Sequence, residues 1–393
     1  MKRGFARYAI VLGLLSAMGP FAIDMYLPAL PTIAADLGTT IAATQASLMA
    51  FFLAVGLCQI VYGPVSDKVG RRGPLYFGLV LFVVGSIGCH LSPNIETLIG
   101  FRIIQGVGAC AGIVISRAIV RDLHTGPDAA RMMALIMLVF SVSPILAPIT
   151  GSALIVVSGW RAIFAAISLV GLLGIALVTY ALPETWPEAR RSKVSLRSTL
   201  RDYGKLLHDR RFLGIVFIGG FGLSCFYIFL ATSSFVFVEH FGLTPVQYSV
   251  IFSLNAIGFI GMAQFSSALA RRFGFDGVVR AAAACLAATT LVLFLLTVGG
   301  VDRVPVVIVF LIVAYTCLGL ILPTTVVMAL EPYGPMAGTA VAMMGTIHMV
   351  LGAVCMALVS LVFDGSSLVM VAAIAISAGL AFAASRLTLS PRA

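Results

Sequence analysis

The chain has 393 residues, 60% hydrophobic and only 10% charged, with a mean hydropathy of +1.09 and a formal net charge of +10. A soluble domain carries about 25% charged residues, so this composition excludes a soluble globular protein and marks an integral membrane protein. The seven cysteines (Cys58, Cys89, Cys110, Cys225, Cys285, Cys317 and Cys355) all fall inside apolar stretches and lack C-x-x-C spacing, which argues against a disulfide framework or a metal site.

The N-terminal MKRGFAR resembles the start of a secretory signal. No A-x-A-like site ends the apolar run behind it, and that run is too long for a signal core, so it is read as the first membrane helix. Apolar runs of about 18 or more residues predict twelve spans, at 8–33, 43–63, 74–92, 96–117, 132–158, 161–182, 212–238, 245–269, 278–300, 304–330, 336–363 and 366–385. The fold class is therefore an all-α membrane protein. An even number of spans puts both termini on one side. With the termini inside, the inner segments collect Lys2, Arg3, Arg7, Lys68, Arg71, Arg72, Arg117, Arg121, Arg131, the central loop, Arg271, Arg272, Arg280, Arg386 and Arg392, whereas the outer loops hold only Arg161 and Arg303. Basic residues accumulate on the cytoplasmic side, so both termini are predicted to be cytoplasmic. The positive charge thus reports topology and contact with anionic inner-leaflet lipid rather than a nucleic-acid partner.

Four stretches in the first half carry the chemistry. Asp24 in the first span and Arg102 in the fourth are ionisable residues well inside apolar runs, and a charge at membrane depth is a functional candidate by default. Counted at 1.5 Å per residue, Asp24 stands about 26 Å beyond Arg7 and Arg102 about 28 Å before Arg121, so the two are expected at one level, and neither at a clear helix break. An interfacial acid and a snorkelling arginine are the plainer readings. Between the second and third spans runs Gly63-Pro64-Val65-Ser66-Asp67-Lys68-Val69-Gly70-Arg71-Arg72, a polar, glycine-bearing stretch expected to form a tight loop. The fifth span contains Ser143-Pro144-Ile145-Leu146-Ala147-Pro148-Ile149-Thr150-Gly151, whose prolines remove backbone donors and whose small residues allow close helix contact. A kinked packing helix is the alternative there, and Gly108-x-x-x-Gly112 is read as packing.

The basic segment 183–211 separates a first six-span bundle, 1–182, from a second, 212–393. It holds Arg190, Arg191, Lys193, Arg197, Arg201, Lys205, Arg210 and Arg211. Leu196, Leu200, Tyr203 and Leu207 recur at helical spacing behind Ser195 as a possible cap, which suits either an amphipathic helix on the inner membrane surface or a solvated linker. A faint repeat at an offset of 202 residues relates Gln45-Ala46-Ser47 to Gln247-Tyr248-Ser249 and Gly56 to Gly258. Ala270-Arg271-Arg272-Phe273-Gly274 looks like a remnant of the basic stretch without its aspartate. Among the polar residues in apolar runs, Gln59, Asn255 and His348 are read either as cavity-lining or as satisfied between helices. Tyr26 and Tyr227 offer an aromatic wall with a hydroxyl, and Glu331 reads as interfacial. No H-E-x-x-H, G-x-S-x-G or phosphate-binding loop occurs, so neither an enzyme nor a cofactor is expected.

The spacing Gly-x-x-x-Asp-Lys-x-Gly-Arg-Arg from Gly63 to Arg72 resembles the signature between the second and third helices of the major facilitator superfamily. The stretches Asp24-Met25-Tyr26-Leu27-Pro28-Ala29-Leu30-Pro31, Arg102-Ile103-Ile104-Gln105-Gly106-Val107-Gly108 and Leu182-Pro183-Glu184-Thr185 resemble its bicyclomycin-resistance (Bcr/CflA) branch of drug/proton antiporters. The resemblance covers essentially the whole chain. The residues themselves suggest Arg102 as the partner of Asp24 and a substrate site drawing on Asp24, Tyr26, Arg102, Tyr227 and Asn255; the resemblance implies proton coupling at Asp24 and an essential Arg102. It also implies a gating signature of Gly63, Asp67, Gly70, Arg71, Arg72 and Asp122. There Arg71 pairs with Asp122, and Asp67 faces the start of the eleventh helix near Pro335. Pro144, Pro148 and Gly151 are similar to the family's antiporter motif, with Ala147 where glycine is usual and Ser152 where a second glycine is common. The implied protein is a monomeric inner-membrane exporter of phenicol- or bicyclomycin-type antibiotics. Export of a metabolite such as a nucleoside or amino acid is the nearest alternative. A membrane-embedded enzyme or sensor is disfavoured by the missing catalytic constellation.

Overall fold

The computed structural model describes residues 3–124, 126–188 and 196–389. Lys2, Arg190, Arg191, Lys193, Arg392 and the possible cap Ser195 lie outside the described residues. In a bilayer every backbone N–H and C=O must be satisfied within the chain, and among the described residues the regular structure is helical throughout. Among the described residues twelve stretches, from Phe5–Asp36 to Ser367–Thr388, are long and apolar enough to cross a membrane, matching the twelve predicted spans.

The chain forms two compact units, Met1–Thr39 with Ala46–Leu200, and Thr40–Gln45 with Arg201–Ala393. The first contains α1 (Arg3–Asp24), α2 (Leu30–Asp36), most of α3 (Ile41–Val69), α4 (Arg72–Leu91), α5 (Ile95–Leu123), α6 (Gly126–Ser158) and α7 (Arg161–Ala181). Helix α8 (Leu196–His208) follows the basic segment. The second contains α9 (Arg210–Ser234), α10 (Pro245–Ala263), α11 (Ser266–Phe273), α12 (Phe275–Val298), α13 (Val304–Leu330), α14 (Ala337–Ser360) and α15 (Ser367–Thr388). The same partnerships recur in both units. Helix α1 packs on α5, α6 and α7 as α9 packs on α13, α14 and α15, and α4 packs on α5 and α7 as α12 packs on α13 and α15.

Helix α5 is the axis of the first unit, and its glycines explain how it can be. A Cβ on Gly106 would lie 2.7 Å from the Phe51 carbonyl of α3, one on Gly108 2.5 Å from the Gly78 carbonyl of α4, and one on Gly112 2.5 Å from the Leu15 carbonyl of α1. Three neighbours therefore touch α5 backbone to backbone, each through a different glycine. Gly108 and Gly112 do not share one contact stripe; they serve two different partners.

One expectation fails here. Gly63–Val69 is not a loop but the last turns of α3, and only Gly70 and Arg71 separate α3 from α4. Pro64 lies inside α3 without ending it. The chain turns at Gly70, whose φ of +101° suits a residue without Cβ. Gly274, with φ +75°, makes the equivalent turn between α11 and α12.

Helix α8 is amphipathic, with Tyr203 and Leu206 buried and Leu200, Leu207, Arg201 and Lys205 exposed. A single residue, Asp209, joins it to α9. Its carboxylate accepts from the Arg211 and Phe212 N–H groups (2.8 and 3.0 Å) and from the Tyr333 hydroxyl. The Tyr333 bond, followed by the two backbone donors, holds the Asp209 carboxyl below the usual range. In the second unit α9 continues into a wider π-helical turn, Phe235–His240. His240 pairs there with Asp302 at 2.6 Å, and Asp302 accepts from Ser367 at 2.7 Å.

The close approach at Gly108 has a measurable cost. Gly108→Ala is expected to destabilise the purified protein by about 1–3 kcal/mol through overpacking. Gly100→Ala, where an added Cβ meets nothing within 4 Å, should leave the thermal midpoint unchanged or higher.

Candidate functional site

The first span is interrupted. Pro28 lacks the N–H that would bond Asp24, and Pro31 the one that would bond Leu27, so α-helical bonding stops at Asp24 and resumes at Leu30 after a 3₁₀ turn, Leu27–Ala29. Asp24 thus sits at a break, contrary to the reading of the sequence. The Tyr26 N–H turns to the Ile23 carbonyl (3.1 Å), which leaves the Ala22 carbonyl without a backbone donor.

Arg102 fills that vacancy. Its Nη1 donates to Ala22 O at 3.1 Å and to Gln105 Oε1 at 2.6 Å. The rest of the guanidinium has aromatic neighbours, with Cζ 4.6 Å from the Tyr26 ring centre and 4.4 Å from that of Phe51. Nε and Nη2 have no hydrogen-bond partner, and the residue is 0% exposed. A cation at a helix C-terminus is favoured by the backbone dipoles, and desolvated cation–π contacts contribute about 2 kcal/mol or more. The polar chain runs on from Gln105 Nε2 to Ser86 Oγ (2.8 Å), and from Ser86 Oγ to the Phe82 carbonyl (2.6 Å).

Asp24 has a different partner. Its Oδ2 accepts from Ser143 Oγ on α6 at 3.2 Å, and among the described residues neither Asp24 nor Arg102 forms an ion pair. The expected counter-ion contact is therefore not made in this structure. The two groups do share a level, because Arg102 reaches a carbonyl two residues before Asp24, but the helix end holds the guanidinium instead. Helix α6 reaches the break on a second contact: Gly151 lies against the Met25 carbonyl, where a Cβ would collide. Pro144 and Pro148 stay within an unbroken α6, and Ser143 directly precedes the first of them. Phe21, Met25, Thr150, Ala153, Leu154, Ala166 and Val170 line a shallow apolar groove of about 420 Å³ beside the break.

Tyr26, proposed from the sequence as a substrate wall, is fully buried. Its hydroxyl meets Ser47 Oγ at 2.6 Å and its ring tilts against Phe164. Neither it nor Arg102 faces open space here. In the second unit Tyr227 donates to Met349 Sδ at 3.3 Å and packs against Gly352. Asn255 donates to the Ile251 carbonyl at 3.0 Å, and its buried Oδ1 has no partner. His348 Nε2 lies 3.0 Å from the Val216 carbonyl, which only accepts, so Nε2 carries the proton and the side chain is satisfied between helices. Among the described residues no cluster of His, Cys, Asp and Glu is suited to a metal ion.

A second polar cluster surrounds Arg71. Its Nε and Nη2 donate to the two oxygens of Asp122 (2.8 and 3.1 Å), and its Nη1 to Asp67 Oδ1 (2.5 Å) and Ser66 Oγ (2.8 Å). Burial opposes the Arg71 charge, but the Asp122 and Asp67 carboxylates outweigh it and raise its pKa. Arg72 bonds and overlies Tyr76. A Cβ on Gly63 would meet nothing within 4 Å.

The sequence pattern of the Major Facilitator Superfamily matches residues 12–357. The chain belongs to that superfamily. Similar proteins include the MFS-type transporter YdgK of Bacillus subtilis, 34% identical over 90% of this chain and 88% of its own length. A bicyclomycin resistance protein homolog of Haemophilus influenzae is 29% identical over 90% and 88%. A chloramphenicol resistance protein of Pseudomonas aeruginosa is 27% identical over 77% and 71%. In fold, the facilitator resembles the crystal structure of a D-xylose-proton symporter, with a TM-score of 0.75 and 14% identity over 98% and 97% of the two chains. The facilitator is thus a multi-pass membrane transporter.

Sequence reading missed Ser143, Gln105 and Ser86. Gln105 carries a signal, since a residue three positions after Arg102 shares its helix face; Ser143 has none beyond standing next to Pro144. Gln105→Leu removes an acceptor from a buried guanidinium and is expected to destabilise the facilitator by about 3 kcal/mol. Thermal unfolding in detergent should read that loss, with Gln105→Glu retaining more stability than the leucine variant.

Proposed function

We propose that this facilitator is a proton-coupled antiporter that exports small drug-like molecules by alternating access, and that Asp24 carries the proton. One observation supports this above the others: a carboxyl group 5% exposed at an interrupted membrane helix, bonded to one neutral hydroxyl and locked to no cation. From this state such a group releases a proton without first tearing an ion pair apart. Arg102 supplies the alternative partner, because two of its donors are unused and it is anchored on the same helix end. Protonated Asp24 stays with Ser143, while ionised Asp24 is drawn toward the guanidinium and disturbs the cap on Ala22. The protonation state is thereby coupled to the shape of the break.

Substrate and proton then compete by linkage. One proton moving inward through 100 mV supplies about 2.3 kcal/mol, and each pH unit adds about 1.4 kcal/mol. One or two protons therefore sustain a tenfold or larger gradient of a neutral solute. The names of the Haemophilus and Pseudomonas relatives favour bicyclomycin and phenicol antibiotics as cargo. The bias of basic residues favours a bacterial inner-membrane location with both termini in the cytoplasm. In this mechanism the cluster of Arg71, Asp67 and Asp122 latches the inner gate.

Asp24→Asn is expected to lower pH-gradient-driven accumulation of chloramphenicol and bicyclomycin in everted vesicles by about tenfold or more. Ligand-induced thermal shifts of the purified variant should persist. Full gradient-driven export by Asp24→Asn would falsify the assignment.

A further inference from the structure

The Arg71 cluster has a support that lies outside the signature. After α7 ends at Ala181, Leu182 takes an extended conformation and Pro183 prevents the helix from continuing. The chain then returns across the α3–α4 turn. Glu184 Oε1 accepts from the Arg71 N–H at 2.9 Å, and Oε2 from the Arg72 N–H at 3.1 Å. These are the first amides of α4, whose N-cap Arg71 has no side-chain cap of its own. A carboxylate from another segment thus closes the helix N-terminus, where donors are unpaired and negative charge is favoured.

Two residues on, the Trp186 indole covers Arg71, with the guanidinium carbon 4.9 Å from the ring centre, and Trp186 Nε1 donates to the Asp67 carbonyl at 3.0 Å. Thr185 Oγ1 donates to Asp122 Oδ2 at 3.1 Å, the oxygen that also receives Arg71 Nε. The Trp186 N–H in turn bonds Glu184 Oε1 at 3.0 Å, so the strap is itself tied together.

We propose that Glu184 and Trp186 are positioning residues for Arg71. Glu184 sets where the backbone turns, and Trp186 roofs the guanidinium and excludes water, so that Arg71 bridges Asp67 and Asp122 in one geometry. The strap, not the signature alone, sets whether that bridge is made. The role of the bridge as a gate rests on the transport reading above; the positioning itself does not.

Two measurements on the full-length protein separate these claims. In detergent-solubilised protein labelled with ¹⁵N at arginine Nε, the Arg71 Nε–H signal is assigned by its absence in Arg71→Lys. Glu184→Ala and Trp186→Ala are expected to speed its exchange with water by about tenfold and to collapse its shift toward that of exposed arginines. Glu184→Gln, which keeps one acceptor, should fall between, and Trp186→Phe, which keeps the ring, should retain more protection than Trp186→Ala. An Arg71 signal unchanged in both alanine variants would overturn the proposal. In everted vesicles with chloramphenicol or bicyclomycin, Glu184→Ala should cut the maximal rate about tenfold at unchanged half-saturating concentration. It should add no further loss in an Arg71→Ala background, whereas additive losses would point to general destabilisation and count against positioning. If the wild-type protein moves neither antibiotic, the transport reading fails while the arginine signal still decides the role of the strap.

Discussion

A membrane helix that stops midway leaves carbonyls with nothing to bond, and the bilayer offers no water to replace the missing donors. The first unit answers with one side chain. Arg102 closes the Ala22 carbonyl, and that contact fixes the level, the register and the crowding of everything near the break. Tyr26 and Phe51 take their places as faces for the guanidinium, and Gln105 and Ser86 pass the remaining polar demand back to an α4 carbonyl. The glycines of α5 follow from the same requirement, because an arginine can reach into α1 only if α5 lies close against its neighbours.

Asp24 gains its chemical freedom from this arrangement. Had Arg102 been spent on the carboxylate, the helix end would have needed another cap and the acid would have been fixed. With the guanidinium engaged by a carbonyl and aromatic faces, the carboxyl group is held by Ser143 and by α6, whose Gly151 meets the same interrupted turn. In the proposed mechanism this division of labour makes proton release a change of partner, from Ser143 to the guanidinium, that starts from no buried ion pair.

The twelve spans, the two intramembrane charges and the basic signature are legible in the sequence because each rests on local composition or periodicity. The break at Asp24 was also within reach, since Pro28 and Pro31 remove particular N–H groups, but a run of apolar residues around prolines reads as one span when hydropathy alone is counted. The extension of α3 through Asp67 escaped for the opposite reason: polar residues and Pro64 suggest a loop, yet exposed helix ends are polar as well. Pairing depends on tertiary placement. Two opposite charges at one level suggest each other until the helix end competes for one of them. Glu184 stands in a recognisable stretch, but nothing in its neighbourhood says that it bonds amides more than a hundred residues earlier.

The strap also bears on where this chain can be divided. By hydropathy the first half ends at Leu182, and everything from Pro183 up to α9 is connector. By bonding, Leu182–Trp186 belongs to the first half, because it completes the turn between α3 and α4. Two separately expressed halves would therefore have to be parted beyond Trp186, and a shortened or exchanged connector would have to leave those five residues in place for the first bundle to keep its own corner intact.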